Sequence, residues 1–397
     1  MLPASAPSAK NCVDETVSPP SGIEVELRTI TWLCQLCGLP QGSGGHFTTG
    51  GTVSNLTAVR LALHRAFPEA RAHGLMGLKS QPVLYISNQG HFSIDRAAGV
   101  LGLGEQNVRK IPSRSDLTMD VDQLAAYIRQ DRQTGLTPFV VVGTAGTTSN
   151  GTIDPLASLA KICAGENLWF HVDAAYAGAL VLSERLRSHL CGVEKADSIT
   201  LDPHKWMFIP FSLGALLTPH RHLLRNAFGQ ETAYLGRKHM SEADLVPGGF
   251  YEISLDASRR FNGLKLWATM KHLGVSGLAE IIDRQVSLAQ ILYERLVDLG
   301  DIELAPRSPT NIVCFRIAPR GTDESTRDRL QTQFQMCLED AAGCWLSNVT
   351  IQGKRFLRIN LLHYNLERKH VDRLLSAIQR EIKTAQDGTL QPEAKAD

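Results

Sequence analysis

Lys205 directly follows a histidine in Asp202-Pro203-His204-Lys205-Trp206, just beyond the apolar run Ser198–Leu201. Upstream, the apolar run Trp169-Phe170-His171-Val172 ends on a carboxylate, Asp173, in Asp173-Ala174-Ala175-Tyr176-Ala177-Gly178. An amine at one strand end and a carboxylate at another are the two protein groups needed to work a pyridoxal phosphate (PLP) ring. The amine condenses with the cofactor aldehyde, and the carboxylate keeps the pyridine nitrogen protonated so that the ring accepts electrons. Taken singly, such residues are a surface lysine and a helix-capping aspartate. The two strings together, in this order, argue for the chemistry.

Other segments extend the pattern. Thr49-Gly50-Gly51-Thr52-Val53-Ser54-Asn55 precedes a helical stretch. Glycines let the backbone close on an anion, and the free N–H groups of a helix N-terminus favour negative charge there. Ser54 also suits a plain helix cap. His91, in Asn88-Gln89-Gly90-His91-Phe92-Ser93, opens another helix at a strand end, where a histidine can cap, pack or move protons. Thr144-Ala145-Gly146-Thr147-Thr148-Ser149-Asn150-Gly151 is, by itself, an ordinary hydroxyl-rich loop. Tyr234 lies in a polar stretch, Phe228 to His239, of the kind that closes over a site; alone it would be a packing residue.

His171-Val172-Asp173-Ala174-Ala175-Tyr176-Ala177-Gly178 and Pro203-His204-Lys205-Trp206 resemble the two signature strings of the group II PLP-dependent amino-acid decarboxylases, the class of aromatic-L-amino-acid, histidine and diaminobutyrate decarboxylases. The similarity runs from about Ser18 to about Ile382. It implies PLP fold type I, with a large, mostly parallel sheet domain, a smaller C-terminal α/β domain and a homodimer with active sites at its interface. It also implies decarboxylation of an L-amino acid, aromatic or related, to the amine and CO2. Lys205 would carry the cofactor and Asp173 would hold its ring nitrogen. Thr52, Val53 and Ser54 would contact the phosphate, with His204 beside the lysine a further contact. His91 would lie flat on the ring near the reacting carboxylate. Thr148, by a gapless count back from Asp173, would lie close to the cofactor, and Ala175 would pack beneath it. Tyr234 matches the catalytic-loop tyrosine that protonates Cα. Related aldehyde synthases typically carry phenylalanine there, so Tyr234 favours plain decarboxylation over oxidative deamination. Family members usually have an N-terminal helical segment that wraps around the partner and completes the pocket. This chain begins near the family's Ser-Pro motif, at Ser18-Pro19, so that segment is expected to be missing. A PLP aminotransferase, a carbon–carbon lyase and a truncated non-catalytic paralogue are the alternatives.

The elements that position these residues follow from periodicity. Short apolar runs at Val83–Ser87, Phe139–Gly143, Leu168–Val172, Ser198–Leu201 and Leu213–Leu217 alternate with amphipathic stretches such as Asp120–Asp131 and Pro155–Ala164. Strands apolar on both faces with helices between them predict a largely parallel sheet covered on both sides, whose ligands sit beyond the carboxyl ends of the strands. A helix is predicted from Gly22 to Gly38 and another from about Ser54 to Ala66. A long helical stretch from Ala257 to about Leu299 leads to strands at Ile312–Ile317 and Arg355–Leu361 and a helix at His370–Thr384. The expected division is a loose Pro/Ser/Ala-rich tail at 1–21, a PLP-binding domain at 22–272 and a small domain at 273–397. Ser258-Arg259-Arg260-Phe261 is expected to be structural, its basic residues on a solvated or interface face. Arg358 is divided between a substrate-carboxylate contact and a domain-bridging ion pair.

The chain has 397 residues, enough for two domains and a sizeable core. Lys plus Arg (41) balances Asp plus Glu (40), so no field draws it to nucleic acid or an anionic membrane. No apolar run is long enough to span a bilayer, and no basic stretch followed by an apolar one opens the chain. The cytoplasm is the expected location. The eight cysteines are scattered, and no secreted disulfide pattern emerges. Cys34 and Cys37 form a C-x-x-C, but their setting is apolar at helical spacing with no second ligand pair, which predicts buried thiols rather than a metal site.

Overall fold

The computed structural model describes residues 20–229, 250–256, 258–342 and 345–386. The chain forms two compact units, residues 1–114, 118–145 and 153–279 in the first and 115–117, 146–152 and 280–397 in the second.

The first unit is built on a seven-stranded sheet. In chain order its elements are α1 (Pro20–Leu36), β1 (Gly44–Thr48), α2 (Gly51–Ala66), α3 (Ala70–His73), β2 (Pro82–Ser87), α4 (Ser93–Val100), β3 (Val108–Ile111), α5 (Val121–Gln133), β4 (Thr137–Thr144), α6 (Leu156–Glu166), β5 (Trp169–Ala174), β6 (Ser198–Leu201), β7 (Gly214–Thr218) and α7 (Arg221–Phe228). The sheet order is β1-β7-β6-β5-β4-β2-β3. β3, β2, β4, β5 and β6 are parallel, and β7 alone runs against them, pairing antiparallel with both β6 and β1. β2, β5, β6 and β7 are buried at every residue, which is why they read as continuous apolar runs rather than alternating ones. α2 lies on this sheet through Ala58, Val59, Leu61 and Ala62, all fully enclosed with Leu84, Ile86, Val140 and Val142. Truncating one of these leucines or isoleucines to alanine would cost about 2–5 kcal/mol.

α2 begins at Gly51, three residues before the expected start, because Gly50 rather than Ser54 caps it. Cys34 and Cys37 are free and buried against the core, and burial pushes the Cys34 thiol up to about 12. Arg259 is not on a solvated face. It is 7 % exposed, paired to the wholly buried Glu26, and its guanidinium lies 4.6 Å over Phe250. α8 (Gly263–Val297) is interrupted at Gly274, where φ is 69°.

The second unit carries a four-stranded antiparallel sheet in the order β10-β11-β9-β8. Its elements are β8 (Ile302–Leu304), β9 (Ile312–Ile317), α9 (Glu324–Ala342), β10 (Ser347–Ile351), β11 (Lys354–Asn360) and α10 (Arg368–Gln386). Phe315, Phe334, Leu338, Leu357 and Ile378 form its core. Arg316 is fully enclosed on β9 and bonds Glu303 and Glu324, each at 2.8 Å. Arg358 on β11 keeps its Nε buried without a partner among the described residues. Among the described residues no helix is long and apolar enough to cross a membrane.

Candidate active site

β1 ends at Thr48, and the chain turns through Thr49-Gly50 into α2. Gly50 has φ 154°, a conformation left to glycine. Thr48 closes the turn, its Oγ1 accepting the Gly50 N–H at 3.2 Å and bonding Ser54 Oγ at 2.7 Å. The N–H groups of Val53 and Ser54 both return to the Gly50 carbonyl. Those of Gly51 and Thr52 donate to no acceptor among the described residues. Two free donors at the positive end of a helix make a cradle for an anion. Thr52 and Val53 are half-buried, whereas Ser54 is enclosed with its hydroxyl turned to Thr48.

The same turn packs against the other motifs. A Cβ added to Gly51 would lie 2.8 Å from Asp202 Oδ2 and 3.2 Å from Ala175 Cβ, and one on Gly50 would lie 3.2 Å from His204 Cε1. Only a bare backbone fits there. Beyond β6, Lys205 Nζ is 2.9 Å from Asp202 Oδ2. The aspartate side chain is 2 % exposed while the lysine side chain keeps 37 %, so the amine is anchored yet reachable. Asp202 Oδ1 is buried without a partner among the described residues. His204 Nε2 is 3.8 Å from Asp202 Oδ2, and its Nδ1 is 2.8 Å from the Leu213 carbonyl. Burial lowers the His204 pKa, against the opposing pull of Asp202.

Asp173 is the last residue but one of the buried strand β5. Its Oδ2 accepts from Asn55 Nδ2 at 2.8 Å and its Oδ1 from the Ala175 N–H at 3.2 Å. Both bonds hold the carboxylate from the protein side. His91, after β2, has Nδ1 2.9 Å from Ser93 Oγ, and that oxygen also receives Asn55 Nδ2 at 2.8 Å. Burial holds the His91 pKa below its ordinary value. Asp173 opposes this, Lys205 adds to it, Asp202 opposes it and Arg96 adds to it, so the imidazole feels both the amine and the carboxylates of the site. Thr148 is exposed in segment 146–152, which belongs to the second unit. Tyr234 lies outside the described residues.

Four strand ends thus bring Gly51, Thr52, Ala175, Lys205, Asp173 and His91 to one side of the sheet. Sequence reasoning missed Asp202, Asn55, Ser93 and His171. Asp202 stood inside the lysine string, and its place three residues before Lys205 was the only signal. Ser93 stood two residues after His91, whereas Asn55 and His171 gave no sign of their contacts, since Asn55 meets Asp173 across 118 residues and His171 across 116.

A family model described as the pyridoxal-dependent decarboxylase conserved domain matches residues 2–318. The chain belongs to the pyridoxal-dependent decarboxylase family. It is 35 % identical to the L-2,4-diaminobutyrate decarboxylase of Rhizobium meliloti over 376 residues, 94 % of this chain and 73 % of that protein. It is 35 % identical to an aromatic-L-amino-acid decarboxylase of Bacillus atrophaeus over 296 residues, 75 % of this chain but 60 % of that enzyme's length. The crystal structure of Catharanthus roseus tryptophan decarboxylase in complex with L-tryptophan superposes with a TM-score of 0.85 at 27 % identity, covering 94 % of this chain and 78 % of that one. The family's cofactor fits the residues present. An anchored amine, a carboxylate held by neutral donors and a glycine-lined pair of free amides are the three handles that PLP requires.

Proposed function

We propose that this chain uses PLP to decarboxylate an L-amino acid, aromatic or related, to its amine and CO2. The observation that carries the reading is the convergence of the Gly51 helix start, Ala175 and the Lys205–Asp202 pair at one place. Lys205 would hold the cofactor through its amine, Asp173 its ring nitrogen, and the start of α2 its phosphate, with Thr52, Val53 and Ser54 in that segment and His204 beside it. Ala175 would leave room beneath the ring and Thr148 would lie close to it. When bound, the cofactor supplies an electron sink for the bond to the α-carboxylate.

His91 would lie over that sink and meet the substrate carboxylate, and burial lowers its pKa there. Asp202 holds the Lys205 amine in place before the cofactor arrives. Tyr234 would return a proton to Cα, which favours the amine over an aldehyde as product. The assembly proposed is a homodimer with interfacial sites, located in the cytoplasm. Each subunit would be divided into a PLP-binding domain at 22–272 and a small domain at 273–397.

The test is a product screen with added PLP over the proteinogenic amino acids, diaminobutyrate and cysteine sulfinate. Stoichiometric CO2 and amine, formed without a keto acid, are expected. Turnover that depends on a keto-acid acceptor would assign an aminotransferase instead. Tight PLP binding with no product from any substrate would assign a non-catalytic paralogue.

A further inference from the structure

Behind Asp173 and His91 lies a chain of buried polar groups whose proton positions follow from its two ends. Trp169 Nε1 can only donate, and it gives its proton to Ser198 Oγ at 2.8 Å. The Ser198 hydroxyl keeps its own proton to give, and His171 Nδ1 lies 2.9 Å away. His171 is fully buried, and burial lowers its pKa to about 4 against the pull of Asp173, so its ring is neutral near pH 7. With Nδ1 accepting, the one ring proton sits on Nε2 and donates to Asn55 Oδ1 at 3.0 Å. The opposite tautomer would give Nδ1–H to the Ser198 carbonyl at 3.1 Å, but it would set a bare Nε2 against the Asn55 oxygen, lone pair to lone pair.

The Asn55 amide is thereby oriented. Its Nδ2 gives one proton to Asp173 Oδ2 and the other to Ser93 Oγ, each at 2.8 Å. Turning the amide over would press an oxygen against the Asp173 carboxylate. Ser93, having accepted from Asn55, gives its own hydroxyl proton to His91 Nδ1 at 2.9 Å, and the Ser93 N–H approaches the same nitrogen at 3.3 Å. Nδ1 therefore accepts, and the His91 proton resides on Nε2, which has no partner among the described residues. The charged groups acting on His91 are Lys205 and Arg96 on one side and Asp173 and Asp202 on the other.

We infer that His171, Asn55 and Ser93 are positioning residues that lock His91 as a neutral imidazole protonated on Nε2 while they clamp Asp173. The consequence rests on the decarboxylase reading: His91 meets the substrate carboxylate as a hydrogen-bond donor and not as a base. The links pass in one direction from Trp169 to His91, so breaking one is expected to free the tautomer at the far end.

The cofactor-free chain, isotope-labelled at the histidine ring nitrogens, reports this through their chemical shifts, with the His91 signals assigned by their loss in His91→Gln. The wild type is expected to hold His91 in the Nε2–H form alone. Ser93→Ala removes the hydroxyl without touching a charge and should shift His91 to a mixture of tautomers, and Ser93→Thr should restore the single form. His171→Leu should loosen His91 in the same direction from the other end of the chain, and His171→Gln, whose amide N–H replaces Nε2–H, should rescue it. If His171→Leu fails to fold, the two serine variants decide alone. A wild-type His91 protonated on Nδ1, or an unchanged His91 in Ser93→Ala, overturns the inference. The readout needs neither cofactor nor substrate, so it stands or falls separately from the decarboxylase reading.

Discussion

Gly51→Ala isolates the cradle from the fold. Its added Cβ would sit 2.8 Å from Asp202 Oδ2, and to reach an optimal contact of about 3.5 Å the carboxylate must retreat by about 0.7 Å. Asp202 has little room for this, being enclosed and joined to Lys205 at 2.9 Å. A retreat of that size carries the ion pair beyond hydrogen-bonding range unless the lysine follows. Overpacking of this kind costs about 1–3 kcal/mol, and alanine recovers up to about 1 kcal/mol over glycine in a helix. The net loss of stability is therefore about 0–3 kcal/mol, a fall in Tm of at most about 12 °C at about 2–4 °C per kcal/mol. Cofactor affinity should suffer more, because the methyl group presses on Asp202 and Ala175 next to the free amides. A rise of at least about tenfold in the PLP Kd, about 1.4 kcal/mol, is expected from fluorescence titration of the cofactor-free chain. Gly165→Ala, where a Cβ meets nothing within 4 Å, is the control and should leave the Kd unchanged. Wild-type PLP affinity in Gly51→Ala would refute the placement of the phosphate at α2.

Three further outcomes are expected. Lys205→Ala should abolish the covalent cofactor adduct fixed by borohydride, and a reduced cofactor still mapping to a peptide of this chain would remove Lys205 from its role. Tyr234→Phe should retain PLP and substrate but divert part of the turnover, with consumption of dioxygen and water, to aldehyde, CO2, ammonia and peroxide; clean amine at an unchanged rate would assign the proton to another group. In the second unit, burial alone would raise the Glu303 pKa, yet Lys354 and Arg316 hold it below its ordinary value of 4.5. A depressed folded pKa stabilises above the unfolded value and is lost as pH falls through the folded one, so this unit should weaken in acid below about pH 4.5. Glu303→Gln should flatten that limb of a urea-unfolding series against pH, and an unaltered slope would contradict the assignment.

Much of this was legible because the chemistry sits in linear strings. Asp173 lies at the end region of β5 and Lys205 just beyond β6, and strands buried on both faces announce themselves as apolar runs. Ser198–Leu201 and Ile312–Ile317 matched residue for residue. β1 is not announced by the sequence, since Gly44 and Gly45 hide a strand that is recognisable only by its pairing with β7. α9 was unread because charged and polar residues dominate its length and only its inner face, with Phe334 and Leu338, is apolar. The shift of the α2 cap from Ser54 to Gly50 has the same origin. Thr48, on the preceding strand, claims the serine hydroxyl, and propensity at Ser54 gives no hint of that.

The cradle, the amine, the carboxylate and the imidazole lie at Gly51, Lys205, Asp173 and His91, on segments that only the finished sheet brings together. An unfolded chain has no such meeting point, so a ligand that needs all four binds the native state alone. By mass action, free PLP at one hundred times its Kd would add about 2.7 kcal/mol to the folding free energy, a large share of the roughly 5–15 kcal/mol typical of a domain. Vitamin supply would then govern how long each molecule escapes proteolysis as well as how fast it turns over.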